Sequence, residues 1–123
     1  MKPDILRGRN AFATVLSEGR AITSGQLRCF YLVLKQQGSG VKTGFAVTRD
    51  IKSAVARNRS KRLMRQAWRA HRKGIRQKAT STKAEIRIVF FSKDTGKNGS
   101  LQYKQFDDSM KKLLEKLNEQ LSR

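Results

Sequence analysis

Acidic residues are what this chain lacks most. Against 28 lysines and arginines it sets nine aspartates and glutamates, so 123 residues carry a formal net charge of +19. Such an imbalance says little about fold and much about partners. Nucleic acid is the leading candidate and an anionic membrane surface the second. Cys29 is the single cysteine, which excludes an internal disulfide and a cysteine-rich metal site. Its place in an apolar run predicts a buried small hydrophobe. His71 is the single histidine, and with no partner evident in the sequence it reads as a packed or surface side chain before a catalytic base. The acids are scattered; Asp107-Asp108 reads as a solvated pair favoured by the dipole at a helix start. Glycine-rich phosphate loops and zinc-ligand spacings are missing. No apolar run approaches the roughly 20 residues of a membrane span. Met1-Lys2-Pro3-Asp4 leads into charged residues, not an apolar core, so no signal peptide is expected and the cytoplasm is the default compartment.

What the chain does have is concentrated. Residues 49–78 hold twelve of the basic residues and a single acid, Asp50. At about 100° per residue this stretch plots as a two-faced helix. Ala56, Ser60, Leu63, Ala67 and Ala70 fall on one stripe, which can press against a sheet. Asn58, Lys61, Arg62, Arg65, Arg69 and Arg72 lie opposite. Like charges three and four residues apart repel by a few tenths of a kcal/mol per pair, and no acid stands between Asp50 and Glu85 to offset them. A solvated basic face is the plain reading of an average charge run. A run this free of acid and this rich in arginine, whose planar fork suits phosphate, points to a polyanion.

The rest of the chain supplies one modest core, enough for a single domain over residues 1–123. Residues 1–9 are polar, with Pro3 and Gly8 disfavouring helix, and are expected to be flexible or extended. Asn10 can cap a short helix, residues 11–18, with Phe12, Val15 and Leu16 as its apolar face and Gly19 at its C-terminal end. Phe12 is read as core packing or as a nucleic-acid contact with equal weight. Residues 20–25 form a turn or short strand. Residues 26–34 read as a central strand, residues 36–40 as a hairpin loop, and residues 41–48 as the next strand. There Phe45 and Val47 face one side, and the small Gly44 and Ala46 leave room for a helix or a nucleotide on the other. After the loop at residues 49–52, Ser53 can cap the long helix, which runs to about Arg72 and is ended by Gly74 and the polar residues 77–83. Residues 85–91 form a strand, residues 93–100 a loop, and residues 103–121 an amphipathic helix with Phe106, Met110, Leu113, Leu114, Leu117 and Leu121 inward. The order αβββαβα predicts an α+β sandwich on one sheet of about four strands. Its strand-helix-strand unit over residues 41–91 should pair parallel.

Within the basic helix, residues 54–69 read Ala-Val-Ala-Arg-Asn-Arg-Ser-Lys-Arg-Leu-Met-Arg-Gln-Ala-Trp-Arg. This closely resembles the signature of the bacterial ribonuclease P protein subunit: Arg-Asn-Arg, one variable residue, then Lys-Arg, near the start of a long helix. The resemblance extends over nearly the whole chain, through the first helix with Phe12 and Gly19, the aromatic strand at Phe30 and the strand over residues 42–48. It implies an accessory subunit of an endoribonuclease in which a catalytic RNA, with Mg²⁺ held mainly by that RNA, removes the 5′ leader of precursor tRNA. It implies no catalytic residue and no metal site in this chain, no membrane association and no obligate protein partner. Arg57, Asn58, Arg59, Lys61, Arg62, Arg65 and Arg69 would face RNA, and Phe12, Phe30 and Arg65 would line a cleft for the single-stranded leader. General chirality makes a parallel crossover right-handed, whereas the family resembled has a left-handed one, and the resemblance is followed. The chain departs from the family pattern in two places. Asp50-Ile51-Lys52-Ser53 stands where Lys-Ile-Gly-Asn is common, and Leu16 where an aromatic is frequent. Two other classes stand against this reading: a ribosomal or other structural RNA-binding protein, which would co-sediment with ribosomal subunits, and a membrane-active or DNA-compacting protein.

Overall fold

Ser53 starts the longest basic helix as its residue type predicts: its Oγ accepts a hydrogen bond from the Ala56 amide at 3.2 Å. A computed structural model describes residues 5–6, 8–35, 38, 40–47, 53–92 and 103–122. Expectations for residues 1–4, 49–52 and 93–100 lie outside the described residues. The element order is α1 (Arg9–Glu18), β1 (Arg20–Ser24), β2 (Leu27–Lys35), β3 (Gly40–Val47), α2 (Ala54–His71), α3 (Lys73–Thr82), β4 (Ala84–Ser92) and α4 (Tyr103–Leu121). The four strands form one mixed sheet in the order β1-β2-β4-β3. β2 pairs antiparallel with β1 and β4, while β3 pairs parallel with β4, with Phe45 opposite Phe90.

β2 and β3 are therefore not a hairpin, because β4 lies between them. The reason is in β4 itself. Alanine, isoleucine, valine and phenylalanine make it buried along nearly its whole length, and a strand buried on both faces gains most from a central place. β3, with two glycines, takes the edge. Ile5 forms an isolated parallel bridge with Thr43 on that edge, and the Leu6 amide donates to the Thr43 carbonyl at 2.8 Å. Residues 5–6 are thus extended and Leu6 is buried.

One face of the sheet carries α2, α3 and α4 over the main core, built on Leu27, Cys29, Ile86, Ile88, Phe90, Phe106, Met110 and Leu113. The other carries α1 over a small cluster of Leu6, Val15 and Val89, with Phe12, Phe30, Leu32 and Phe91 packed against it. α4 buries the predicted face, and Leu121 packs at its margin. Cys29 is fully buried in the main core, and loss of hydration pushes its thiol up to about 12, so it stays protonated and inert.

Three local expectations are corrected. α1 begins at Arg9, with Gly8 in the N-cap position and the Phe12 amide on the Gly8 carbonyl; Asn10 lies in the first turn, where its carbonyl accepts the Thr14 hydroxyl at 2.8 Å. Gly19 does end α1, but in an extended conformation. What it supplies is absence of bulk, because a Cβ there would collide with the Val15 and Tyr31 carbonyls. The helical region also does not stop at Gly74. Arg72 stays right-handed, and α3 follows at once because Ile75 and Ala79, four apart, are buried against the main core. Lys83, left-handed, ends it.

Candidate nucleic-acid interface

The side of α2 that meets the sheet fixes where its arginines point. Ser60, Leu63, Met64, Ala67 and Trp68 are its buried residues. The stripe is thus turned from the one expected: Met64 and Trp68 are inside and Ala70 is exposed, because a tryptophan and a methionine bury far more apolar surface than an alanine. Trp68 packs on Phe90 with ring centroids 5.5 Å apart, and Phe90 stacks on Phe45 at 5.5 Å and 15°. The Arg65 guanidinium carbon lies 5.9 Å from the Phe45 ring centroid, within the range of a cation–π contact. A ladder Trp68–Phe90–Phe45–Arg65 therefore holds this arginine at the β3 edge of the sheet.

Two grooves meet at Arg65. One, along the first turns of α2, is lined by Val55, Asn58, Arg59, Arg62 and Arg65. The other is a cavity of about 450 Å³ between α1, the β3 edge and α2. Phe12, Thr43, Phe45, Arg65, Trp68 and Arg69 are among its walls. Phe12 reaches it by crossing Gly44: a Cβ on Gly44 would occupy the space of the Phe12 ring. The small residue foreseen as leaving room for a neighbour leaves it for this phenylalanine. The result is a partly aromatic groove beside guanidinium groups, a surface suited to unpaired bases and their phosphates.

The model of the Ribonuclease P family matches residues 1–118. The chain belongs to that family. It is 35% identical over 72 residues to the ribonuclease P protein component of Symbiobacterium thermophilum, a match covering 58% of this chain and 62% of that protein. The chain thus spans under two thirds of that curated relative's length. Its fold is shared with the RNase P protein from Thermotoga maritima (TM-score 0.71, 20% identity, 91% of this chain and 96% of that one). It is also shared with the Staphylococcus aureus RNase P protein (TM-score 0.69, 16% identity, 94% of this chain and 96% of that one).

Of the ribonuclease P signature residues, Asn58, Arg59, Arg62, Arg65 and Arg69 are exposed, and Arg57 and Lys61 are half-buried. Phe12 and Arg65 share the second groove, but Phe30 does not line it. β4 separates the strand of Phe30 from β3, and Phe30 packs edge-on against Phe91 at 5.8 Å beneath α1. Leu16, on the apolar face expected of α1, is 39% exposed. Phe45 and Trp68 were not foreseen as groove residues. The signal for Phe45 was an aromatic on a strand otherwise small on its other face; for Trp68 there was only its place four residues after Met64.

His71 has a partner that sequence spacing hides. Its Nε2 lies 2.7 Å from Asp107 Oδ1, tying the end of α2 to the start of α4. Asp107 also accepts from the Tyr103 hydroxyl at 3.1 Å. Desolvation first, then that hydrogen bond and the Asp107 charge, raise the Tyr103 phenol above its ordinary value. Asp107 is thus a tether and not a solvated dipole partner. His71→Ala should cost about 0.5–1.5 kcal/mol of stability, the worth of one such hydrogen bond, with the fold retained; thermal unfolding followed by circular dichroism measures it. Among the described residues no three His, Cys, Asp or Glu side chains gather as a metal-holding group, and no helix is long and apolar enough to cross a membrane.

Proposed function

We propose that this chain is the protein subunit of a cytoplasmic ribonuclease P, binding the catalytic RNA and the 5′ leader of precursor tRNA. The observation that carries the proposal is the shared position of Arg65, where the Arg-rich face of α2 runs into the groove of Phe12 and Phe45. In this reading Arg57, Asn58, Arg59, Lys61, Arg62 and Arg69 engage RNA phosphates. Phe12 and Phe45 receive leader bases, Arg65 serves both surfaces, and Phe30 supports the Phe12 cluster from below. Base–aromatic stacking is tolerant of sequence, as a leader site serving many tRNAs requires.

The chemistry belongs to the RNA. Hydrolysis of a phosphodiester needs a positioned nucleophile and charge stabilisation, commonly from two metal ions on acidic ligands. The nine acids of this chain are dispersed, and His71 is engaged in joining two helices. Mg²⁺ is held by the RNA partner, and the protein's cations stand in for part of the diffuse counterion cloud around two polyanions brought together.

Cleavage of precursor tRNA by a bacterial ribonuclease P RNA at limiting Mg²⁺, with and without the chain, tests this. The chain should lower the Mg²⁺ needed, and the nuclease-free chain alone should leave the substrate intact at every Mg²⁺ concentration. No shift in the Mg²⁺ requirement, or correct cleavage by the chain alone, would overturn it. Co-sedimentation with ribosomal subunits and no effect on cleavage would favour a structural ribosomal role instead.

A further inference from the structure

The basic surface does not end with the signature helix. A third groove of about 480 Å³ lies where α2 passes into α3, and Arg69, Arg72, Lys73, Arg76, Gln77 and Thr80 are among its walls. Arg69 and Arg72 also line the groove of Phe12 and Phe45, so the two are continuous. From Arg65 to Thr80 the track follows helix for about 22 Å at 1.5 Å per residue.

Its chemistry differs from that of the aromatic groove. Among the described residues, no aromatic or large apolar side chain lines it. The Thr80 and Ser81 hydroxyls are turned back onto the helix carbonyls of Arg76 and Lys78. Lys73 and Arg76 are exposed, and among the described residues no carboxylate pairs with either. Cations three apart on one helix face, with no acid between, repel one another. What such a surface can offer is charge for phosphates, without base reading.

We infer that Lys73 and Arg76 form a distal subsite that holds the phosphates of leader nucleotides lying beyond those stacked at Phe12 and Phe45. This rests on the leader reading of the aromatic groove and extends its path around the end of α2 onto α3. The subsite makes affinity depend on leader length but not on the sequence of the distal nucleotides.

Holoenzyme reconstituted from a bacterial ribonuclease P RNA, with the wild-type chain or Lys73→Ala/Arg76→Ala, tests the inference. Both positions are exposed on a helix where alanine is well accommodated, and circular dichroism checks the fold. Affinity is measured for precursor tRNA with no leader, a leader only long enough to fill the Phe12 groove, and one long enough to pass Arg76. The double variant should bind the long-leader substrate about 5-fold more weakly, the sum of two exposed charge contacts, and its log–log salt slope should fall by about 1.4 for two lost single-strand phosphates. Short-leader and leaderless affinities should match wild type. An equal loss for all three substrates, no loss for any, or weaker assembly with the catalytic RNA when tRNA is absent would each overturn the distal subsite. If the wild-type holoenzyme draws no benefit from the short leader, the aromatic-groove reading itself fails, and this inference falls with it.

Discussion

Binding of this chain to ribonuclease P RNA should fall by about 10³-fold between roughly 50 and 200 mM monovalent salt, the loss expected when six phosphates are neutralised. Six cations of the proposed RNA face set that number: Arg57, Arg59, Lys61, Arg62, Arg65 and Arg69. They lie on one helix, four of them exposed, and no acid occurs in the sequence between Asp50 and Glu85. Each phosphate contact releases about 0.9 of a condensed counterion from a duplex, and that release sets the slope. Filter binding or fluorescence anisotropy over a salt series measures it directly. Replacing Arg57 and Arg59 together by alanine should reduce the slope by nearly two while circular dichroism stays unchanged. A salt response as flat as that of a neutral protein would remove the α2 face from the interface.

How much of this was legible in the sequence depends on the range of the force involved. Local signals translated directly. The Ser53 hydroxyl caps its own helix, the continuous apolar and aromatic run in residues 26–34 produces a strand, and the heptad-like apolar spacing after Phe106 predicts the buried face of α4. Charge was legible as well, since cations expelled from the core have only the outer face of α2 to occupy. Strand order was not. Residues 36–40 carry every sign of a hairpin loop, yet whether β2 meets β3 is decided by β4, more than forty residues later, whose apolar side chains need cover on both faces. That one displacement also separates Phe30 from the groove that Phe12 and Arg65 share.

Two further misses have the same origin. Gly74 and a polar stretch are ordinary helix terminators, but the burial of Ile75 and Ala79 outweighs a glycine penalty of about 1 kcal/mol. The outcome is α3, and with it the longer basic track. His71 lies 36 residues from Asp107, and only the crossing of α2 with α4 brings them to 2.7 Å. By contrast Phe12, weighed equally as core and as contact, sits where either role is open to it. It is half-buried, packs on the α1 cluster and also forms a wall of the groove.

That double placement makes Phe12 the residue on which the leader reading can be decided. Phe12→Ala should weaken binding of leader-bearing precursor tRNA to the holoenzyme by about 5- to 150-fold, corresponding to the roughly 1–3 kcal/mol of one base–aromatic stack, and leave leaderless tRNA unaffected. It should also destabilise the free chain, by less than the ~3–5 kcal/mol of a fully buried phenylalanine, because the ring is only half-buried. Phe12→Leu separates the two effects, since leucine keeps most of the apolar contact with Val15 and Leu6 but offers no π-face. It should therefore fold nearly as well as wild type and still lose leader affinity. Gly44→Ala attacks the same ring from the sheet: the added Cβ would fall on Phe12 atoms, so the ring must leave its position although the residue is untouched. Loss of leader discrimination in Phe12→Leu and Gly44→Ala, with circular dichroism and RNA assembly preserved, is the expected pattern. If both folded variants discriminate leader-bearing from leaderless tRNA as wild type does, Phe12 is a packing residue and the leader is held elsewhere.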